Sequence, residues 1–140
     1  MKIGKYLISD EKCLIQNDRV FEMLSATYFV KGRTKDTIAK SIDNSICFGI
    51  YIDDVQVGFA RCITDYATTY YLCYVVVDEK YRGHGLGKAL TKFIVEHESL
   101  STSMGVLGME DAHSLYEKFG FMCDKGMYRP SNSTVVAFSQ

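Results

Sequence analysis

Three glycines at alternate positions after an arginine form the segment with the clearest chemistry. It reads Arg82-Gly83-His84-Gly85-Leu86-Gly87, and Lys88 follows. Glycine permits positive φ and puts no Cβ between backbone N–H groups and a ligand. A helix that begins in such a turn presents free N–H groups at the positive end of its dipole. The pattern therefore predicts a pyrophosphate site, to which Arg82 and Lys88 add positive charge.

Two common phosphate-binding loops fit this segment poorly. A Rossmann loop needs G-x-G-x-x-G, and the glycine spacing here is one residue short. A Walker loop needs a hydroxyl residue after its lysine to bind magnesium, but Ala89 follows Lys88. Nucleotide binding is therefore a weak alternative. The pattern that fits is [Q/R]-x-x-G-x-[G/A], which residues 82–87 fill.

A second segment, residues 111–121, reads DAHSLYEKFGF and contains Leu-Tyr-x-x-x-Gly-Phe. Residues 77–87 and 111–121 together resemble the two signature segments of the GNAT superfamily, the acetyl-CoA-dependent N-acetyltransferases. The segments occur in the family's order and at its usual separation. The resemblance covers roughly residues 72–121, and the helix-helix-hairpin layout before them agrees with it.

The resemblance implies acetyl-CoA as the co-substrate, with no metal. In this family the strand before the glycine loop is bulged and splays from its neighbour, and the pantetheine arm hydrogen-bonds to it as an added strand. That strand end is residues 74–77 here, and one of its amides would polarise the thioester carbonyl. The residues expected to bind the cofactor are Val75, Val76, Val77, Arg82, Gly83, His84, Gly85, Leu86, Gly87, Lys88 and Ser114.

The resemblance also implies a catalytic acid, Tyr116, which is the tyrosine of Leu-Tyr-x-x-x-Gly-Phe. Its hydroxyl would protonate the departing sulfur, although a place on the apolar face of its helix also suits a core residue. An alkyl amine has a pKa of about 10, so a base or a desolvating pocket is needed to make it nucleophilic. Asp65, Glu110, Asp111 and a water held by backbone carbonyls are the candidates for that base.

The acceptor is expected to be a primary amine of a small molecule or peptide that attacks directly in a ternary complex. The residues expected to contact it are Phe29, Arg61, Asp65 and Tyr74. Related small GNAT proteins often carry an acidic residue where Tyr74 stands, which puts a side-chain base on this strand in doubt. The alternative is a non-catalytic acetyl-CoA-binding module with the same fold.

The hydrophobic pattern predicts the elements that must position these residues. The fold class it indicates is α/β (α+β) in three layers, with a mixed, mostly antiparallel sheet, a splayed central strand pair and helices on both faces. One domain is expected over residues 1–140. The predicted strands are 5–8, 46–52, 55–64, 68–77, 103–107 and a final pair at 121–127 and 134–138. The predicted helices begin at caps Asp18 and Thr34, and cover residues 85–97 and 111–119.

Composition narrows the class of protein further. The chain has 140 residues and a formal charge of −1, whereas a general nucleic-acid binder would be strongly basic. Its five cysteines are odd in number and form no C-x-x-C pair, which is typical of free thiols in a reducing compartment. We therefore expect a cytoplasmic protein that binds neither nucleic acid nor membrane, and a homodimer stays open.

Overall fold

The computed structural model describes residues 1–27, 30, 32–108, 113–124, 126, 127 and 129. The strands are β1 (Lys2–Ile3), β2 (Tyr6–Ser9), β3 (Ile46–Ile52), β4 (Val55–Thr64), β5 (Thr69–Val77) and β6 (Met104–Leu107). The helices are α1 (Asn17–Ser25), α2 (Lys35–Asp43), α3 (Leu86–Val95) and α4 (His113–Glu117). Short 3₁₀ turns occur at Lys12–Leu14 and Glu79–Tyr81.

One six-stranded sheet has the spatial order β1-β2-β3-β4-β5-β6. The first five strands form an antiparallel meander, while β6 pairs parallel to β5. Parallel neighbours need a crossover connection, which α3 provides between β5 and β6. The predicted mixed, mostly antiparallel sheet is confirmed.

Helices cover both faces of this sheet and form two separate hydrophobic clusters. The α3 cluster includes the fully buried residues Leu90 and Ile94. The α1–α2 cluster, on the opposite face, includes Leu24 and Ile38. Each such side chain contributes about 1.5–3 kcal/mol when it leaves water. The predicted three-layer arrangement is therefore confirmed.

The hairpin between β3 and β4 has the predicted bounds. Its two turn residues, Asp53 and Asp54, have φ of 48° and 63°. Two successive residues with positive φ characterise the type I′ turn, whose twist matches that of the flanking strands. Aspartate tolerates this conformation better than most residues other than glycine, so the turn chemistry sets the pairing next to the turn. Farther along, an irregularity between Ile50 and Tyr51 shifts the register by one residue.

The helix caps were predicted correctly in one case and wrongly in the other. Thr34 caps α2, since its side-chain oxygen accepts a hydrogen bond from the Thr37 N–H at 3.1 Å. Asp18 is not a cap but lies in the first turn of α1, whose N-cap is Gln16. The Gln16 N–H donates to Oε1 of the buried Gln56 at 2.8 Å. A contact with β4 therefore accompanies the start of α1, in place of a local cap.

The two ends of the chain differ from the prediction. The strand predicted at 5–8 is β2, Tyr6–Ser9, and the two-residue β1 was not predicted because it is too short to show a pattern. Residues 121–124, 126 and 127 carry no strand, which corrects the first half of the predicted final pair. Residues 134–138 lie outside the described residues. Gly120, which follows α4, has φ of 89°, the left-handed conformation in which helices commonly end.

None of the helices in the described part of the chain has the length and apolar character that crossing a membrane requires.

Candidate functional site

Strand β5 contains a bulge next to its carboxyl end. Phe59 pairs with Val76, and Arg61 pairs with Cys73. Two residues of advance along β4 are therefore opposite three residues of advance along β5, so β5 has one extra residue. The extra residue accompanies a left-handed backbone at Tyr74, where φ is 58°. Such a φ costs a non-glycine residue roughly 1–2 kcal/mol, so the surrounding pairing must impose it. The bulge predicted from the family resemblance is therefore present.

The bulge changes which face of the sheet each side chain of β5 contacts. Before it, Leu72 packs in the α3 cluster, whereas after it Tyr74 and Val76 pack in the α1–α2 cluster. Val75 and Val77 pack against the α3 cluster instead. The strand end is therefore held from both sides by its side chains, which leaves its backbone as the part available to a ligand.

The neighbouring strand β6 stops following β5 at this bulge. The last pair between them is Leu72 with Leu107, while β5 continues to Val77 on the β4 side. Within the described residues, β5 thus extends five residues past its β6 ladder. This confirms the predicted splayed strand pair. This edge of β5 has no partner among the described residues, and an extended ligand can add to such an edge as another strand.

The glycine loop leads from this strand end into α3. Gly83 and Gly85 have φ of 84° and 74°, a conformation that favours glycine, and Gly85 is the N-cap of α3. A Cβ added at Gly83, Gly85 or Gly87 would meet no heavy atom within 4 Å. The three glycines therefore border open space rather than packed protein. We call this surface the glycine cradle, and its shape fits a ligand that approaches the backbone closely.

The electrostatics of the glycine cradle suit phosphate. No side chain caps α3, so the N–H groups of its first turn and its dipole face the cradle. Arg82 and Lys88 are exposed beside it, and Arg82 Nε donates to the Val77 carbonyl at 3.1 Å. The exposed His84 lies within the turn. Leu86 is only 2% exposed and packs in the α3 cluster, so its side chain belongs to the core.

Asp78 anchors the start of the loop, a role that local sequence did not reveal. Its N–H donates to the Val57 carbonyl at 2.8 Å, and its Oδ1 accepts from the Lys80 N–H at 2.9 Å. Its Oδ2 accepts from the Arg19 guanidinium at 2.7 Å. That charged hydrogen bond is the main reason that the pKa of Asp78 lies below its ordinary value of 3.8. The pair joins α1 to the loop.

We expect Asp78→Asn to lower the free energy of unfolding by about 1 kcal/mol at neutral pH, because a partly buried charged pair is lost. A lowered pKa means that the wild-type contribution is full above pH 3.8 and disappears as the pH falls through the folded-state value. The stability gap between wild type and variant, measured by urea unfolding, should therefore close in acid. An equal gap at pH 7 and pH 3 would contradict this.

Helix α4 carries two of the predicted site residues, of which Tyr116 is buried and Ser114 is exposed. Tyr116 is 7% exposed and packs in the α3 cluster, which also contains Leu72 and Leu86. Its ring contacts Phe121 edge to face, with the centroids 5.9 Å apart. Ser114 is exposed. The structure thus brings Tyr116 into the core region shared by β5 and the beginning of α3. Phe29, Glu110 and Asp111 lie outside the described residues.

Asp65 does not join the site. Its carboxylate accepts hydrogen bonds from the N–H groups of residues 67–69 and from the Thr68 hydroxyl, in the turn between β4 and β5. These bonds hold its pKa well below the usual range, which makes it a poor base. At about 3.3 Å per residue, the strand from Thr69 to Tyr74 spans roughly 16 Å. The structure therefore places Asp65 at the far end of β5 from Tyr74, and its predicted roles as a base and as an acceptor contact gain no support from this geometry.

Arg61 and Tyr74 do come together on the α1–α2 face. The Arg61 guanidinium lies 4.4 Å from the centroid of the Tyr74 ring, and Arg33 lies 5.6 Å from the same centroid. Both distances are typical of cation–π contacts. Two of the predicted acceptor residues therefore meet at the bulge.

Within the part of the chain that the structure describes, no three His, Cys, Asp or Glu side chains are grouped so that they could hold a metal ion.

Comparison with known proteins gives results that agree with this geometry. Residues 43–123 match the family model for the acetyltransferase (GNAT) domain. A crystal structure from Xanthomonas campestris pv. campestris, provisionally described as a GNAT-family acetyltransferase, is 32% identical. It superposes with a TM-score of 0.86 over 93% of this chain and 96% of that one.

Two more distant proteins are also similar. A protein of Gibberella zeae, provisionally named an acetyltransferase, is 28% identical over an alignment that covers 66% of this chain. The chain covers only 64% of that protein's length. Glucosamine-6-phosphate N-acetyltransferase from Arabidopsis thaliana is 19% identical and superposes with a TM-score of 0.62. The match covers 90% of this chain and 97% of that protein, and at this identity it shows a shared fold alone. The family model and the Xanthomonas structure establish that this chain belongs to the GNAT family of acetyltransferases.

Proposed function

We propose that this chain is an acetyl-CoA-dependent N-acetyltransferase that acts on a primary amine of a small molecule or peptide by direct attack in a ternary complex. One observation carries the proposal: the end of β5, which has no β6 partner among the described residues, runs straight into the glycine cradle. A strand edge followed by an anion site suits a ligand that has an amide-bearing arm and a pyrophosphate.

Each part of this site has a distinct task. The backbone of residues 75–77 holds the pantetheine arm, and one of its N–H groups donates to the carbonyl oxygen that gains charge. The amides of residues 83–88 bind the pyrophosphate, while Arg82 and Lys88 screen its charge and Ser114 contributes a hydroxyl from α4. When bound, acetyl-CoA supplies the acetyl group as a thioester.

The chemistry requires two proton movements. The amine nitrogen forms a bond with the carbonyl carbon, the carbon–sulfur bond breaks, and the nitrogen loses a proton. We assign protonation of the departing sulfur to the Tyr116 hydroxyl, since Tyr116 packs with residues of both β5 and α3. The general base is not assigned to any described side chain. Glu110 and Asp111, which lie outside the described residues, and a water held by backbone carbonyls stay the candidates.

A second function, acetyl-CoA binding without turnover, is favoured by a specific observation. Tyr116 is 7% exposed and Asp65 is engaged in its own turn, so few ionisable groups lie open at the described site. An amine panel assayed by release of the CoA thiol separates the two functions. Turnover with any primary amine supports the enzyme, whereas tight binding with no turnover across the panel supports the module.

Acetyl-CoA should raise the melting temperature, because a ligand that binds only the folded state stabilises it by mass action. At a ligand concentration 100 times Kd the gain is about 2.7 kcal/mol. For a chain of this size we expect an increase of roughly 5–10 °C. CoA should act similarly, and ATP or NAD much less. A thermal shift of equal size with ATP would contradict the acetyl-CoA assignment.

A further inference from the structure

The buried guanidinium of Arg61 has no anionic partner in the described chain. It projects from β4 to the α1–α2 face, the residue is 9% exposed, and its Nη1 donates to Ser45 Oγ at 2.9 Å. Its Nε is buried and makes no hydrogen bond to any described residue. No carboxylate among the residues described lies within ion-pair distance of it. Because buried charges are normally paired, this arginine indicates an anion that the described residues do not supply.

A second cation converges on the same place. Arg33 is exposed just before α2, and its guanidinium lies over the ring of Tyr74, as that of Arg61 does. Both guanidiniums also affect the pKa of the Cys73 thiol. Burial raises this pKa, and the two positive charges lower it. Their distances from one ring centroid place the two guanidinium carbons within about 10 Å of each other, so an anion bound near Tyr74 would be attracted by two positive charges.

The position of these cations separates them from the glycine cradle. Tyr74 and Val76 face the α1–α2 side, whereas Val75, Val77 and α3 belong to the opposite face. The arginines therefore do not serve the pyrophosphate. They flank Tyr74, which precedes by one residue the strand segment proposed to hold the acetyl end of the cofactor. A molecule bound at the arginines would thus lie next to the acetyl group.

We propose that Arg33 and Arg61, braced on the ring of Tyr74, bind an anionic group of the acceptor. The acceptor class is then a primary amine that also carries a carboxylate or a phosphate. Arginine suits this task because its planar fork donates two parallel hydrogen bonds to either group. This inference rests on the proposed function, since it names the substrate class of the same site.

Matched acceptors test the inference by thiol release. Phosphoethanolamine is compared with ethanolamine, and β-alanine with propylamine, so that each pair differs mainly in the anionic group. We expect kcat/KM to be at least about tenfold higher for the charged member of one pair, which also identifies phosphate or carboxylate. Equal values within both pairs would overturn the inference.

Two arginine variants test whether these residues cause the preference. Arg33→Gln, at an exposed position that should fold normally, should raise KM for the charged acceptor about tenfold and leave kcat unchanged. Arg61→Lys keeps the charge but loses the fork, so the rise should be smaller. Lys40→Gln, on the exposed face of α2, is the control for a lost positive charge and should have no effect. An undiminished preference in both arginine variants would refute the site.

A binding measurement separates this inference from the proposed function. If no amine releases thiol, the enzyme proposal fails, but anion binding is still testable by melting temperature with CoA present. Phosphoethanolamine or β-alanine should then stabilise the wild type but not Arg33→Gln, and salt should weaken the effect. If neither compound shifts the wild type more than its neutral partner does, the anion site is refuted as well.

Discussion

Gly87→Val should leave the free protein as stable as the wild type and weaken acetyl-CoA binding by about a hundredfold. Gly87 is the second residue of α3, and a Cβ built on it meets no atom within 4 Å. Valine also has a slightly better helix propensity than glycine. A bulky side chain there keeps phosphate from the first-turn amides. Loss of one or two charge-assisted hydrogen bonds, each about 1.5–3 kcal/mol, accounts for the expected factor.

A smaller change at the same residue makes this test sharper. Gly87→Ala should raise the unfolding free energy of the free protein by roughly 0.5–1 kcal/mol, because it restricts the unfolded chain and favours the helix. The same substitution should nevertheless weaken the binding of acetyl-CoA. Calorimetry and urea unfolding would thus give changes of opposite sign. Wild-type affinity in Gly87→Val would show that the cradle does not bind phosphate.

Gly85 needs a matched control, because its φ of 74° strains any other residue. Gly85→Ala should cost about 1–2 kcal/mol of stability in addition to its effect on binding. Gly4 also has positive φ and open space around it, and it lies outside the proposed site. Gly4→Ala should therefore show a similar loss of stability with unchanged acetyl-CoA affinity.

The sequence predicted correctly those elements that are determined by residues close to one another in the chain. The β3–β4 hairpin has the predicted bounds because two strand-type runs flank a turn that aspartates can adopt. The Thr34 cap was predictable for the same reason, since its partner is three residues away. The glycine loop could be placed between a strand and a helix because glycine spacing shows in the sequence.

Features that depend on distant contacts were not predictable in this way. The start of α1 involves Gln56, 40 residues away, and the loop is anchored by Arg19, which is 59 residues from Asp78. The bulge at Tyr74 has no local signal, as tyrosine is an unusual residue for positive φ. It was expected only from the family resemblance. Its pairing with two arginines depends on how three separate parts of the chain pack.

The hydroxyl of Tyr116 decides between enzyme and binding module. Tyr116→Phe removes one oxygen and keeps the ring that packs in the α3 cluster against Phe121. If the hydroxyl protonates the departing sulfur, kcat should fall by about a hundredfold or more, while acetyl-CoA affinity stays near that of the wild type. The measurement is single-turnover acetylation with a saturating acceptor, alongside calorimetric titration of the cofactor.

Tyr51→Phe is the matched control for this experiment. Tyr51 is 6% exposed, and its buried hydroxyl makes no hydrogen bond within the described structure. Because an unpaired buried hydroxyl is destabilising, its removal should leave stability unchanged or raise it by up to about 1 kcal/mol. Turnover should not change. If Tyr116→Phe retained turnover within about twofold of the wild type, as we expect of Tyr51→Phe, Tyr116 would be a core residue and the acid would have to be sought elsewhere.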